Sequence, residues 1–174
     1  MTVMWAWIAT AGLLLDSPGT VVGSRVIAPL IGPAMSAAVG TVVDDEALFR
    51  RGVRMQVLGV VVAVLAATLF AFALRSLALV PPGLDPLELA EVSERLAPNV
   101  LVLVVAVGAG VAGIVSLMTG VSATLVGVMI AVALIPPAAA VGIGIAFRIP
   151  RLVLGAGIIV AVNVLSINLS ALVM

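Results

Sequence analysis

Two clusters of proline carry the clearest chemical potential in this sequence. Pro29, Gly32 and Pro33 stand in one apolar stretch, and Pro136 and Pro137 stand in another. Proline has no amide hydrogen, so a helix that runs through it leaves the carbonyl four residues earlier without a partner. Pro33 would free the carbonyl of Pro29, and Pro137 that of Ala133; Pro29 and Pro136 would free those of Arg25 and Val132. In hydrocarbon each bare carbonyl costs several kcal/mol unless another helix, a hydroxyl, water or an ion meets it. Two such breaks facing each other make a cation- or water-lined site, and the half-helix N-termini beyond them favour an anionic group. A plain proline kink, satisfied by neighbouring helices, is the competing account of each cluster.

Other side chains add to the candidate site. Asn163, Ser166 and Ser170 fall at i, i+3 and i+7, on one face of a helix. That stripe either lines a pathway or serves as hydrogen-bond glue between helices. Asn168 points well away from it. Arg25 is the one charge inside its apolar stretch, which makes it a secondary candidate in a membrane. It also stands close enough to Pro18 to reach the surface by snorkelling. Gly108, Gly110, Gly113 and Gly120 suit close helix packing or oligomer contacts. Asp44-Asp45-Glu46 has the acids for a divalent ion, and it equally has the form of a solvated helix start.

What is missing excludes several function classes. There is no Cys, hence no disulfide, iron–sulfur or thiolate zinc site, and no His, the usual metal ligand and acid–base residue. The sequence holds no HExxH, GxSxG or P-loop motif. It therefore predicts no enzyme, no metal centre and no cofactor. Net charge is zero and there is no basic arm, so nucleic acid is not an expected partner. The apolar runs carry no Asp or Glu at mid-depth, which speaks against a carboxylate-based proton or sodium exchanger.

The elements that must position these residues are set by composition. The chain is 64% hydrophobic and 9% charged, a balance no soluble domain of this size shows. Long uncharged runs cover Val26–Val43, Met55–Leu74, Leu96–Phe147 and Leu152–Met174. A helix needs about 20 apolar residues to cross hydrocarbon, so Leu96–Phe147 must hold two. Short alternating strands, the mark of a barrel, are lacking. Met1–Leu15 resembles a span rather than a cleavable signal, because it has no basic leading region. Asp16-Ser17-Pro18 and Asp44-Asp45-Glu46 read as helix starts. Val80-Pro81-Pro82-Gly83 is the clearest break, and Asp85-Pro86-Leu87-Glu88 then opens a short amphipathic helix expected to lie on the membrane surface.

One stretch is present twice. Thr20–Gly40 and Thr124–Gly144 match at Thr, Val-Gly, Leu-Ile, Pro-Ala and a closing Gly, at a constant offset of 104 residues. Paired apolar segments interrupted by Pro and Gly in corresponding halves point to a transport site at the bilayer centre. The expected plan is three segments, a linker and three more. The first repeat covers about 3–75, the linker helix about 84–97 and the second repeat about 98–174, within one membrane domain 1–174. The middle segments, about Pro18–Val43 and Ser122–Phe147, either cross, which inverts the halves, or re-enter, which leaves them parallel. Their length and apolarity favour crossing.

Three ordered motifs resemble those of an archaeal and bacterial family known as the uncharacterised hydrophobic domain, domain-of-unknown-function family 389. The first is Leu13-Leu14-Leu15-Asp16-Ser17-Pro18, with Val22-Gly23 and Ile27-Ala28-Pro29-Leu30-Ile31-Gly32-Pro33. The second is Ile130–Pro137 and the third Asn163–Leu169. The family commonly has a small residue and Met where this chain has Ser24-Arg25. The resemblance implies a multi-pass membrane protein and no established activity.

The expected architecture is all-α: a polytopic membrane protein of about five or six apolar helices, in two pseudo-repeats with a Pro-broken middle helix. The expected function is a small transporter or channel for an ion or small solute. Its permeant would touch Pro29, Gly32, Pro33, Ala133, Pro136, Pro137, Asn163 and Ser166. The alternative is a non-transporting membrane scaffold, anchor or assembly subunit. The lipid bilayer and further copies of the chain, as a homo-oligomer, are the expected partners. The expected location is the cell membrane of an archaeon or bacterium.

Overall fold

Each helix starts and stops where the sequence supplies the chemistry for it. Ser17, Asp45 and Asp85 take N-cap positions, and their side chains accept from the amides of Thr20, Leu48 and Leu87. Four helix ends close alike. Asp16, Asp44, Ala78 and Arg148 adopt left-handed φ values of 48°, 55°, 53° and 57°. The next amide in each case bonds back five residues, as from Asp45 to Gly40 and from Ile149 to Gly144, both at 2.8 Å. This is the Schellman closure, in which otherwise orphaned carbonyls find donors.

A computed structural model describes residues 1–24, 31–81, 83–97 and 123–173, with 100, 104, 107, 108, 111 and 115 between the last two stretches. At 31, 34, 35, 38, 42, 123–133, 167 and 170–173 the description covers the backbone. The protein is all-helical, with no strand among the described residues. α1 spans Thr2–Leu14, α2 Pro18–Gly23, α3 Ile31–Val42, α4 Glu46–Ser76, α5 Ala90–Ser93, α6 Ala123–Ala146 and α7 Pro150–Val173. A 3-10 turn, Pro86–Glu88, precedes α5. The described residues from Val100 to Val115 are helical as well.

α4 is the spine. Its 31 residues rise about 45 Å, and α1, α3 and α6 all pack along it. Arg75, in its last turn, donates to the carbonyl of Ala146 at 2.8 Å and lies 5.4 Å from the Phe147 ring centre. α4 and α6 therefore finish together and run in one direction. α3 runs against α4 through the Asp44 turn, and α7 runs against α6 through the Arg148 turn. Asp16, just past α1, accepts from the amide of Glu91 at 2.8 Å. A side chain at Gly155 on α7 would strike the carbonyl of Leu96. The end of α1, the 85–96 linker and the start of α7 thus gather at the Arg75 end. The Asp44 turn stands at the opposite end of α4.

Small residues fill the interior. Eleven of the seventeen residues in the main core cluster are alanine, and this lets backbones approach closely. A methyl on Gly142 would stand 2.5 Å from Cβ of Ala67 and 2.8 Å from the Thr68 amide nitrogen. Large apolar side chains face outward instead. Leu58, Val61, Leu65, Leu69 and Phe72 on α4 are exposed, as are Leu154, Ile158, Leu165 and Leu169 on α7.

Two expectations are corrected. The helix does not break at Pro136 and Pro137: α6 runs through both without interruption. Proline's fixed φ is close to the helical value, so what it removes is hydrogen bonds rather than helical shape. Buried Leu134, Ile135, Ala138, Ala139 and Ala140 pack around that turn. The linker helix is also shorter than expected. It is a 3-10 turn and a single α turn, divided by Leu89 in extended conformation. Its apolar residues Val92, Leu87, Leu89 and Leu96 pack onto the helical core rather than forming a free surface face. The first half's interruption at Pro29 and most of the 99–118 segment lie outside the described residues.

Gly142→Leu is expected to lower stability by about 1–3 kcal/mol through overpacking against α4. Gly157→Ala, with nothing within 4 Å of the new methyl, is expected to be neutral or stabilising by up to about 1 kcal/mol. Thermal unfolding in detergent measures both, and equal losses would refute the close α4–α6 approach.

Candidate functional site

Most polar side chains on these helices are satisfied by their own helix. Thr10 donates to the carbonyl of Ala6, Ser36 to Gly32, Thr41 to Ala37 and Thr68 to Val64. Such back-bonding is how hydroxyls settle in apolar surroundings. Gln56 and Asn168 behave differently. Asn168 Nδ2 on α7 donates to Gln56 Oε1 on α4 at 2.9 Å and to its own Val164 carbonyl at 2.7 Å.

These two bonds fix both amides. The Val164 carbonyl is an acceptor only, so it must face the Asn168 nitrogen. That nitrogen then meets the oxygen of Gln56, not its nitrogen. Gln56 is fully buried, and its Nε2 is left without a hydrogen-bond partner. A buried donor left bare costs about 1–3 kcal/mol, and a native protein holds few of them.

Asn163 and Ser166 are both buried on α7. α7 runs against α4, and Asn168 stands opposite Gln56. By helical rise Asn163 lies about 7.5 Å further from the Asp44 end than Asn168, level with the middle of α4. Gly142 packs on Ala67 and Thr68, which brings buried Pro136 and Pro137 to a similar level, about 8 Å back along α6. Pro33 stands elsewhere. Its carbonyl abuts Gly52, nearer the Asp44 end, and Gly32 beside it is exposed. Ala133 lies in the α6 backbone, and Pro29, Arg25 and the side chain of Ser170 lie outside the described residues. The structure thus puts Asn163, Ser166, Pro136 and Pro137 at one level along the bundle, that of mid-α4, and Pro33 off that level.

Gln56 carries a signal that a periodic search overlooks. It is the sole Gln of the chain, set inside the uncharged run Met55–Leu74. Asn168 lies about 140° around α7 from Asn163, off the polar stripe, and that turn is what carries it to α4. Among the described residues, charge is confined to the helix ends, the first three turns of α4 and the linker. Arg95 and Glu91 form a nearly buried pair at 3.2 Å in the linker, and Arg50 pairs with Glu46 beside the Asp44 turn.

A bundle with apolar surroundings, alanine packing and motifs at Pro29–Pro33, Pro136-Pro137 and Asn163–Asn168 defines a family-level match. Residues 26–169 match the family described as Domain of unknown function (DUF389), and the chain belongs to it. It is also similar to Uncharacterized protein MJ0678 of Methanocaldococcus jannaschii, at 30% identity over 99% of this chain and 51% of that protein. The chain thus spans about half the length of this curated relative. No solved structure matches it.

Asn168→Leu is expected to cost about 1–3 kcal/mol, because it strips the carbonyl of Gln56 of its donor. Adding Gln56→Met should recover most of that loss. Denaturant unfolding in detergent of the two single variants and the double variant measures the coupling, and additive losses would sink it.

Proposed function

We propose that this chain is a multi-pass membrane domain of two inverted halves that passes a small solute along the α4–α7 side of the bundle. The observation that carries the solute path is the buried Gln56–Asn168 pair with its bare Nε2 donor. Asn163 and Ser166 lie buried at mid-depth, on another face of α7. Pro136 and Pro137 lie at that level, while Gly32 and Pro33 stand nearer the Asp44 end.

The inside-out distribution of side chains supports the membrane setting. Alanine makes up most of the core cluster, and many Leu, Val and Phe side chains face outward over surfaces that water would penalise. Glu46–Ser76 is the one helix among the described residues whose length and apolarity suffice to cross hydrocarbon. Arg54 and Arg75 bracket its apolar part, about 31 Å apart along the axis.

Helix direction supports the inversion. The Asp44 and Arg148 turns are 104 residues apart, share a closing glycine at 40 and 144, and stand at opposite ends of α4. A side chain on either glycine would strike the first turn of the following helix, at the amide of Phe49 or of Val153. The stretch from α2 to α3 begins at the Arg75 end and finishes at the other, which favours crossing over re-entry. The proposed setting is the cell membrane of an archaeon or bacterium, with the chain assembled as a homo-oligomer; the archaeal relative is consistent with this.

The second reading is a scaffold without transport. It is favoured by Pro136, fully buried within a continuous helix and packed among alanines. In that case the prolines serve packing alone.

The chain has no cysteine, so single-cysteine variants can report sidedness. In vesicles of uniform orientation, Asp44→Cys and Arg148→Cys are expected to react with an impermeant maleimide from opposite faces. Asp85→Cys should share the face of Arg148→Cys. Labelling of all three from one face would overturn the inverted arrangement. For the path, reconstituted protein should pass at least one solute of a panel of ions and small neutral compounds, and rates equal to empty vesicles would favour the scaffold.

A further inference from the structure

We infer that the cavity beside Arg75 holds the phosphate of an anionic membrane lipid. The site rests on the membrane setting proposed above, not on the solute path. A cavity of about 600 Å³ opens where α4 ends, lined by Arg75, Val80, Pro81, Gly83, Leu84 and Phe147. Arg75 is the charged residue of that lining. Its guanidinium is already held in place, by the bond from Nη1 to the Ala146 carbonyl and by the Phe147 ring. The rest of its five N–H donors stay available, in the fork that suits a phosphate. Arg75 belongs to neither ion pair of the described residues, which are Arg50–Glu46 and Arg95–Glu91. The facing wall is fixed as well. The Leu84 amide closes a turn on the Pro81 carbonyl at 3.1 Å, with Gly83 at a φ of 90° that suits glycine.

The charges around the cavity leave Arg75 free to take an anion. Arg148, next to Phe147, is exposed and in no ion pair. Asp85, next to Leu84, accepts from the Leu87 amide at 2.9 Å and so turns into the linker. Asp16 caps Glu91, and Glu91 pairs with Arg95. Glu88 and Glu94 come four or more residues past Leu84. The carbonyls at both helix ends have donors: Leu74 from Leu79, Arg75 from Ala78, Gly144 from Ile149 and Ala146 from Arg75. Depth and lining then select a lipid over a free ion. Arg75 directly follows the uncharged run Met55–Leu74, where hydrocarbon gives way to headgroups and basic side chains meet lipid phosphates. Val80, Pro81, Leu84 and Phe147 suit glycerol and methylene groups and offer a hydrated phosphate nothing. Phe72, one turn before Arg75, and Ile145, beside Ala146, are exposed and give acyl chains apolar surface nearby. A choline headgroup would bring a second cation towards Arg75 and Arg148, so an anionic headgroup is preferred.

The test uses the full chain in detergent. Native mass spectrometry measures what it retains when titrated with phosphatidylglycerol, phosphatidylcholine, diacylglycerol or inorganic phosphate. A single phosphatidylglycerol per chain is expected, held more tightly than the other three. Arg75→Gln should weaken it roughly tenfold, with elution volume and helicity unchanged. Leu84→Trp fills the cavity and leaves the Arg75–Ala146 bond in place. It should weaken the lipid likewise, and it is the decisive variant if Arg75→Gln does not fold. Phosphatidylglycerol held no better than phosphatidylcholine, and unchanged in both variants, is lipid of the general boundary and overturns the site. Diacylglycerol held as tightly as phosphatidylglycerol overturns the role of Arg75. Inorganic phosphate held as tightly overturns the lipid as its source. Release of the chain from membranes by alkaline carbonate overturns the membrane setting itself, whereas a chain that stays embedded yet retains no phosphatidylglycerol overturns the site alone.

Discussion

The close approach of α6 to α4 is the constraint on which the rest of the structure depends. Gly142 sits where a single methyl would meet Ala67, and alanines 63, 66, 67 and 71 of α4 share one core cluster with alanines 138, 139, 140 and 146 of α6. Contacts of this kind bring many backbone atoms within van der Waals range, and dispersion summed over them holds the helices together. Once α6 lies that close, its end must stop beside the end of α4. Arg75 then reaches the Ala146 carbonyl, which has no donor within its own helix, and the Phe147 ring beneath it. The Arg148 turn follows from that stop, and with it the reversed course of α7 that brings Asn168 to Gln56.

The same apolar interior dictates how polar groups are treated. Threonine and serine return their hydrogen to a carbonyl three or four residues back. Helix ends close on themselves through left-handed residues, or are capped from a distance, as Asp16 caps the linker at Glu91. Gln56 Nε2, like Trp5 Nε1 and Arg95 Nη1, stays an open buried donor, and of these three it is the one in an amide pair that spans two helices. Packing alone would be served as well by two leucines.

Much of this fold is legible in the sequence, for local reasons. Ser17, Asp45 and Asp85 announce helix starts because capping uses a side chain and an amide two or three residues away. Arg75 marks the end of α4 because a cation suits a helix C-terminus. The candidate site is less legible. Whether a proline breaks a helix depends on what surrounds the freed carbonyls, and around Pro136 and Pro137 the surroundings hold the helix together. Asn163 and Ser166 are found by their spacing and do lie buried. Gln56 escapes periodic reasoning because a single residue has no period. Asn168 escapes because its value depends on which helix stands opposite, a fact of tertiary structure. The linker's apolar face is visible in the sequence, but not that it packs onto the helical core.

On the proposed two-halved reading, the offset of 104 separates scaffold from chemistry. Gly40 corresponds to Gly144, Pro33 to Pro137, and Gly52 to Ala156, so several residues that set backbone proximity have like partners in the other half, whereas Gly155 corresponds to Arg51. The polar residues of the path do not. Gln56 corresponds to Val160, Asn163 to Gly59, Ser166 to Val62 and Asn168 to Val64. A duplicated scaffold needs the same small residues twice, because each half must let its helices approach. The polar side chains carry no such duplication: Asn168 meets Gln56 because of the helix that stands opposite, not because of the repeat.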